Sequence, residues 1–275
     1  MPTAVINGIT IYYEIHGEGF PLLLAYGLGG STKDWAGQIE ILSRRYKLIL
    51  WDPRGHGRSE SPSTPEEYSL DISARDLLEL LNHLEIQKAY LGGLSMGAGI
   101  ALRHTIVNPE RVAALLLIDS QSASEVPVAG DMRAMREHTI TLADTVGMSA
   151  VADFLISNNP NLQSQADAGP AQREQLRIGY LSCNPTGYAG SVRALLDPPI
   201  SPERIATVRC PTLVLVGDQD PSREPAWSTH KLIAGSEYVV IKDAGHLSNK
   251  DQPVEFNHAL LKFLDQVDAK NGPCD

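Results

Sequence analysis

Gly93-Leu94-Ser95-Met96-Gly97 follows the apolar run Ala89-Tyr90-Leu91 and precedes Ala98-Gly99-Ile100-Ala101-Leu102. The pattern reads as a buried strand, a sharp turn and a helix, with a serine at the turn. So tight a turn forces the serine into a strained backbone conformation. Side chains two residues before and two after it would collide with the neighbouring strand and helix, and glycine at both places removes the clash. The hydroxyl is then exposed at the carboxyl end of a sheet, on a backbone fixed by the turn and the helix start. Glycine-spaced serines also occur in ordinary turns, so this reading rests on the partners found elsewhere.

Working outward, Asn7-Gly8 sits between alternating apolar residues and predicts a hairpin of strands over 3–6 and 9–16. Residues 21–26 form a continuous apolar run, as in a strand buried on both faces, and end in Gly27-Leu28-Gly29-Gly30. Ser31 with Asp34 then has the pattern of a capping box opening a helix through Trp35, Ile39 and Leu42. The next strand, 46–51, runs into the turn-rich loop Asp52-Pro53-Arg54-Gly55-His56-Gly57-Arg58-Ser59. Apolar residues at helical spacing over 68–84 predict a helix, and 112–118 another buried strand ending in Asp119-Ser120. From about Ser122 to Ile200 no strand is expected; helices are predicted over 132–145, 148–156, 171–181 and 187–196. Strands resume at 212–216 and 238–241, and a last helix covers 254–267.

Strands alternating with helices predict an α/β fold with a mostly parallel sheet and right-handed crossovers. The helical insert reads as a cap over the sheet's carboxyl edge, where open α/β sheets place ligands. The expected division is a core over 1–121, a cap over 122–202 and a second core segment over 203–275.

The chain has 275 residues, 43% hydrophobic and 20% charged, ordinary for a globular protein with one large domain. Its net charge of -10 argues against nucleic acid or an anionic membrane as the main partner. Met1-Pro2-Thr3-Ala4 lacks a basic region followed by an apolar one, and no apolar run is long enough to span a bilayer. Cys183, Cys210 and Cys274 are far apart, odd in number and without metal spacing. A cytoplasmic protein with reduced thiols and no metal is expected. There is no internal repeat.

A serine hydroxyl needs a base within hydrogen-bond reach, and the base needs an orienting carboxylate. Of eight histidines, His246 lies just after the last strand, in a loop at the edge that carries Ser95. His56 follows another strand end and is the second candidate. Asp218 and Asp220 both follow strand 212–216. Asp218 is expected to shape the turn and Asp220 to reach the base, with Asp119 as the rival acid. A tetrahedral intermediate also needs two N–H groups aimed at its oxyanion. The Met96 amide at the helix start is one, and the Leu28 amide of the glycine-rich turn is the expected second.

These motifs together resemble the α/β-hydrolase superfamily, whose chain order of nucleophile, acid and base is matched by Ser95, Asp220 and His246. Within it, the Asp52 to Ser59 loop and Gly93-Leu94-Ser95-Met96-Gly97 resemble 3-oxoadipate enol-lactone hydrolases and related esterases and lactonases. The resemblance implies hydrolysis of a small-molecule ester or lactone without cofactor, with Arg54 and His56 structural. One departure is Tyr26, where the family usually has histidine. Trp35, Met132, Met135, Phe154, Tyr180 and Tyr188 are expected to line an apolar pocket or to pack the cap itself. A negatively charged substrate would call on cap cations, for which Arg133, Arg136, Arg173, Arg177 and Arg193 are available. Serine at position 95 argues against dehalogenase or epoxide hydrolase chemistry, which needs a carboxylate nucleophile. Carbon–carbon hydrolysis, perhydrolysis, and a ligand sensor on the same scaffold stay open.

Overall fold

The computed structural model describes residues 2–120 and 130–271. The expected boundary at 121/122 and Cys274 lie outside the described residues. In chain order the elements are β1 (Thr3–Ile6), β2 (Ile9–His16), β3 (Phe20–Ala25), α1 (Ala36–Ser43), β4 (Tyr46–Trp51), α2 (Leu70–His83), β5 (Ala89–Leu94), α3 (Met96–Val107) and β6 (Val112–Ile118). Then come α4 (Gly130–Thr145), α5 (Met148–Asn158), α6 (Gln163–Asp167), α7 (Pro170–Leu181), α8 (Pro185–Ala194) and α9 (Pro202–Ile205). The chain ends with β7 (Thr212–Gly217), α10 (Arg223–Leu232), β8 (Glu237–Ile241), α11 (Ser248–Asp251) and α12 (Pro253–Asn271).

The strands form one sheet in the order β1-β2-β4-β3-β5-β6-β7-β8. The hairpin β1–β2 and its junction with β4 are antiparallel, and the pairings from β4 to β8 are parallel. Every residue of β5, β6 and β7 is buried, which is why these stretches read as unbroken apolar runs. The strand period of two still sorts their side chains. Leu115 and Leu117 join Leu77, Leu81 and Ile100 on one face, while Leu116 and Ile118 join Phe256, Leu260 and Leu264 on the other. Helices α2 and α3 therefore cover one side of the sheet and α12 the other.

Ser31 opens the turn after β3 as expected, its amide donating to the Asp34 carboxylate at 2.7 Å. The first turn there, Thr32–Trp35, is a 3-10 turn that leads into α1. Helix α10 was not legible in the sequence: it starts at Arg223, contains Pro225, and buries only Ala226 and Thr229, so no apolar stripe announces it.

Among the described residues no strand occurs between β6 and β7. The helices of this stretch rest on three loops at the carboxyl edge. A Cβ on Gly29, after β3, would lie 2.7 Å from the Tyr180 ring; one on Gly187 of α8 would lie 2.6 Å from the carbonyl oxygen of Gly55, after β4. A Cβ on Gly245, after β8, would lie 2.6 Å from Ser164 Oγ. Helix and loop backbones approach so closely only because those positions lack side chains.

Candidate active site

Ser95 sits between β5 and α3 with φ 55° and ψ −111°, a left-handed conformation that strains any residue but glycine. A Cβ on Gly93 would meet the Ala25 carbonyl oxygen at 2.4 Å and Gly97 Cα at 2.9 Å. One on Gly97 would meet the Ala25 carbonyl oxygen at 2.3 Å and that of Tyr26 at 2.9 Å. The end of β3 therefore presses on both flanks of the turn, and glycine at both positions lets it close. The Ser95 amide donates to the Ile118 carbonyl at 2.8 Å, and its own carbonyl accepts from Gly99 at 3.1 Å. Its backbone is thus tied to β6 and to α3.

His246, in the loop after β8, places Nε2 3.0 Å from Ser95 Oγ. Its Nδ1 lies 3.0 Å from each carboxylate oxygen of Asp220, in the loop after β7. The tautomer that satisfies both contacts carries its proton on Nδ1, donates it to Asp220, and accepts the Ser95 hydroxyl on Nε2. Three segments far apart in sequence meet here because parallel strands end at one edge. Asp220 and His246 are 4% and 6% exposed, so little water competes for these bonds.

Two further groups hold this arrangement. The Ser222 amide and hydroxyl donate to Asp220 Oδ1 at 2.7 and 2.8 Å, and its Oγ lies 3.1 Å from His246 Nδ1. Asp119, fully buried at the end of β6, accepts from the Gly217 amide at 3.1 Å, the Ser248 amide at 3.0 Å and the Ser248 hydroxyl at 2.7 Å. It does not contact the imidazole; it clamps together the loops that carry Asp220 and His246. Asp218 accepts the Ala244 amide at 3.2 Å and joins the same two loops.

Burial disfavours charge on His246, yet the Asp220 carboxylate, through its charge and hydrogen bond, and Asp119 nearby raise its pKa above the ordinary value of 6.5. Burial pushes Asp220 upward, and the charge and hydrogen bond of His246 with the two Ser222 bonds more than reverse this, leaving it below the usual carboxylate value. Burial and the proximity of Asp220 raise Asp119 well above that value.

His56 is elsewhere. Its Nδ1 lies 3.2 Å from the Arg54 carbonyl, Nε2 has no partner, and burial depresses its pKa to about 4. Arg54 makes a bidentate pair with Asp76 at 2.7 and 2.8 Å. This loop braces the fold beneath α8.

Ser95, His246 and Leu28 open onto a cavity of about 650 Å³, including space open to solvent. Met132, Met135, Tyr180 and Tyr188 line it, as does Tyr26, whose hydroxyl donates to Asn249 Oδ1 at 3.1 Å. Trp35 and Phe154 do not line it. Trp35 is wholly buried beneath the cavity wall, edge-on to Tyr26 at 5.3 Å and tilted against Phe256 at 6.4 Å. Phe154 packs on His138 at 4.6 Å. Both belong to the packing. Met96 opens α3, where an amide has no partner within its helix.

Polar lining from Arg136, Thr139, Asn159 and Asn161 was not singled out by an apolar-pocket reading. Arg136 stood among five cap arginines, and only packing separates it from the others. Ser222 was hidden because the helix it precedes was not visible in the pattern. Among the described residues no group of three or more His, Cys, Asp or Glu side chains could hold a metal ion, and no helix is long and apolar enough to cross a membrane.

Comparison with known proteins bears on the family and the fold. The chain is 30% identical over 265 residues to 3-oxoadipate enol-lactonase 2 of Acinetobacter baylyi, covering 94% of each. It superposes on a thermophilic esterase from Thermogutta terrifontis with a TM-score of 0.86 at 30% identity, covering 97% of this chain and 98% of the esterase. For the enol-lactonase of Burkholderia xenovorans the TM-score is 0.82 at 26% identity, over 96% and 100%. The alpha/beta hydrolase fold family matches residues 21–253. With that match spanning most of its length, the chain belongs to the alpha/beta hydrolase family.

Proposed function

We propose that the protein is a serine hydrolase that cleaves a small carboxylic ester or lactone through an acyl-enzyme. The observation that carries this reading is the continuous line of contacts from Ser95 Oγ through His246 to Asp220, at 3.0 Å on each side of the ring, opening on a cavity. A similar activity in the named enol-lactonase and esterase relatives supports the bond class.

Ser95 attacks the carbonyl carbon while His246 Nε2 takes its proton. Asp220 holds the imidazole in the productive tautomer and stabilises its charged form. The amides of Leu28 and Met96 receive the oxyanion, the second reinforced by the dipole of α3. The protonated imidazole then gives its proton to the departing alcohol oxygen. Water, deprotonated by His246, attacks the acyl-enzyme and frees the acid. In a lactone the leaving alcohol stays tethered to the acyl group, so ring opening takes place under the helices between β6 and β7.

Turnover of p-nitrophenyl esters, enol-lactones and acyl homoserine lactones, with Ser95→Ala in parallel, tests this. Multiple turnovers that fall by about 10⁴-fold or more in Ser95→Ala are expected. A single stoichiometric release would favour a ligand sensor, and a variant as fast as wild type would remove the nucleophile.

A further inference from the structure

The helices over the cavity carry one cation whose placement the packing does not explain. Arg133, Arg177 and Arg193 each meet a carboxylate, from Glu137, Asp153 and Asp144 respectively. Arg173 is exposed and lies outside the cavity. Arg136 is partly buried, lines the cavity with Ser95 and His246, and pairs with no carboxylate of the described residues. Its one hydrogen bond among the described residues goes from an Nη1 N–H to the Leu195 carbonyl at 2.7 Å, at the end of α8. A guanidinium has five N–H donors, so the rest of its fork is left for another acceptor. Its field reaches the site, where it opposes a small part of the rise that Asp220 produces in the His246 pKa, and burial lowers its own.

Withdrawing a cation from water without a counter-charge is costly, and an anion that binds beside it offsets the cost. The guanidinium fork matches a carboxylate in two parallel bonds. A second group in the same wall lacks a partner. Asn161 lines the cavity with Oδ1 buried and unbonded, and a half-turn of its amide would present N–H groups instead. Thr139 also lines the cavity, its hydroxyl donating to the Arg136 carbonyl at 2.8 Å.

We propose that Arg136 is a specificity-determining residue that binds a carboxylate carried by the substrate at a distance from the scissile bond, so that the preferred substrate is a monoanionic ester or lactone. This rests on the ester-hydrolase reading above and narrows it. The anion is held at the α4 wall while the carbonyl lies at Ser95, so charge fixes which end of the molecule enters the oxyanion position.

The test compares monomethyl adipate with dimethyl adipate, two esters of matched length that differ in one charge, by pH-stat at neutral pH. Wild type is expected to have the higher kcat/KM for the monoester. In Arg136→Met that value falls by about 10- to 100-fold, mainly through KM, while the diester changes by less than about threefold. Arg136→Lys recovers part of the loss, and Arg133→Met, which alters an exposed ion pair, leaves both esters unchanged. Free adipate competes against dimethyl adipate in wild type and loses that effect in Arg136→Met, a readout that needs no preference between substrates. Turnover of the diester with no preference for the monoester and no inhibition by adipate would overturn the carboxylate site and leave the hydrolase standing. Turnover of neither ester, with no inhibition, would overturn both.

Discussion

The strand ends and the helices above them are built on different tolerances. At the strand ends, position is dictated by contacts that admit no alternative. Gly93 and Gly97 face the Ala25 carbonyl at distances where no Cβ fits, Asp119 accepts hydrogen bonds from two neighbouring loops, and Asp220 accepts them from Ser222 in its own loop and lies against His246 of the next. In the helices above, a Cβ on Gly179 of α7 would meet nothing within 4 Å, although one on Gly187 of α8 would not fit, and the cavity wall includes flexible methionines, tyrosines and a cation. On the proposed reading the lower layer performs one kind of chemistry on any carbonyl delivered to it. The upper layer decides which carbonyl arrives, and its residues can change without disturbing the machinery.

That contrast breaks if substitutions below alter preference or substitutions above alter chemistry. The largest effect is expected for Asp220→Asn, which leaves the ring without its anionic partner. Its kcat should fall by about 10⁴-fold for every substrate alike, and a loss confined to some substrates would give Asp220 a role in recognition. Gly97→Ala should follow, since its methyl must displace β3 or the serine turn. A displacement near an ångström costs about 10²-fold in rate, accompanied by a lower Tm; full activity would show that the turn is looser than its contacts imply.

Tyr180→Ala removes a cavity wall, and its kcat/KM ratio between a short and a long acyl ester should change by about tenfold, while Phe154→Ala leaves that ratio unchanged. Equal shifts in both would dissolve the distinction between lining and packing. The smallest effect is expected for Asp119→Asn. In the proposed mechanism a neutral His246 is the base, so activity is expected to fall as pH drops through its raised pKa. Asp119 contributes to that raised pKa, so its replacement should move the acid limb of kcat/KM to lower pH, with the plateau rate reduced less than about tenfold. A limb that stays in place or moves upward would show that Asp119 acts only through the loops it clamps.

The same division explains what could be read in the chain. The β5–Ser95–α3 turn was legible because its glycines answer a steric demand that sequence states openly. Asp220 followed from its position after the buried strand β7, and His246 from its position after β8, the last strand. The strands themselves matched closely, β5, β6 and β7 because burial on both faces leaves no polar interruptions, and β1 and β2 because they alternate about Asn7-Gly8. Helix α10 escaped because its exposed face and Pro225 blur the period, and with it Ser222, whose hydroxyl touches both Asp220 and His246. The cavity wall was harder still. Trp35 and Phe154 have the composition of a pocket but the surroundings of a core. Arg136 looks like any cap arginine until Leu195 and the cavity are placed around it. Which face a cap helix turns inward depends on its neighbours, and one strand of letters does not carry that.

The most direct test is rapid quench of the protein with a p-nitrophenyl ester at low pH, followed by mass spectrometry of the peptides. One acyl group on Ser95, formed at the rate of the p-nitrophenol burst and absent in Ser95→Ala, is the predicted result. Continued turnover with the label on another residue, or with no covalent intermediate at any time, would contradict it.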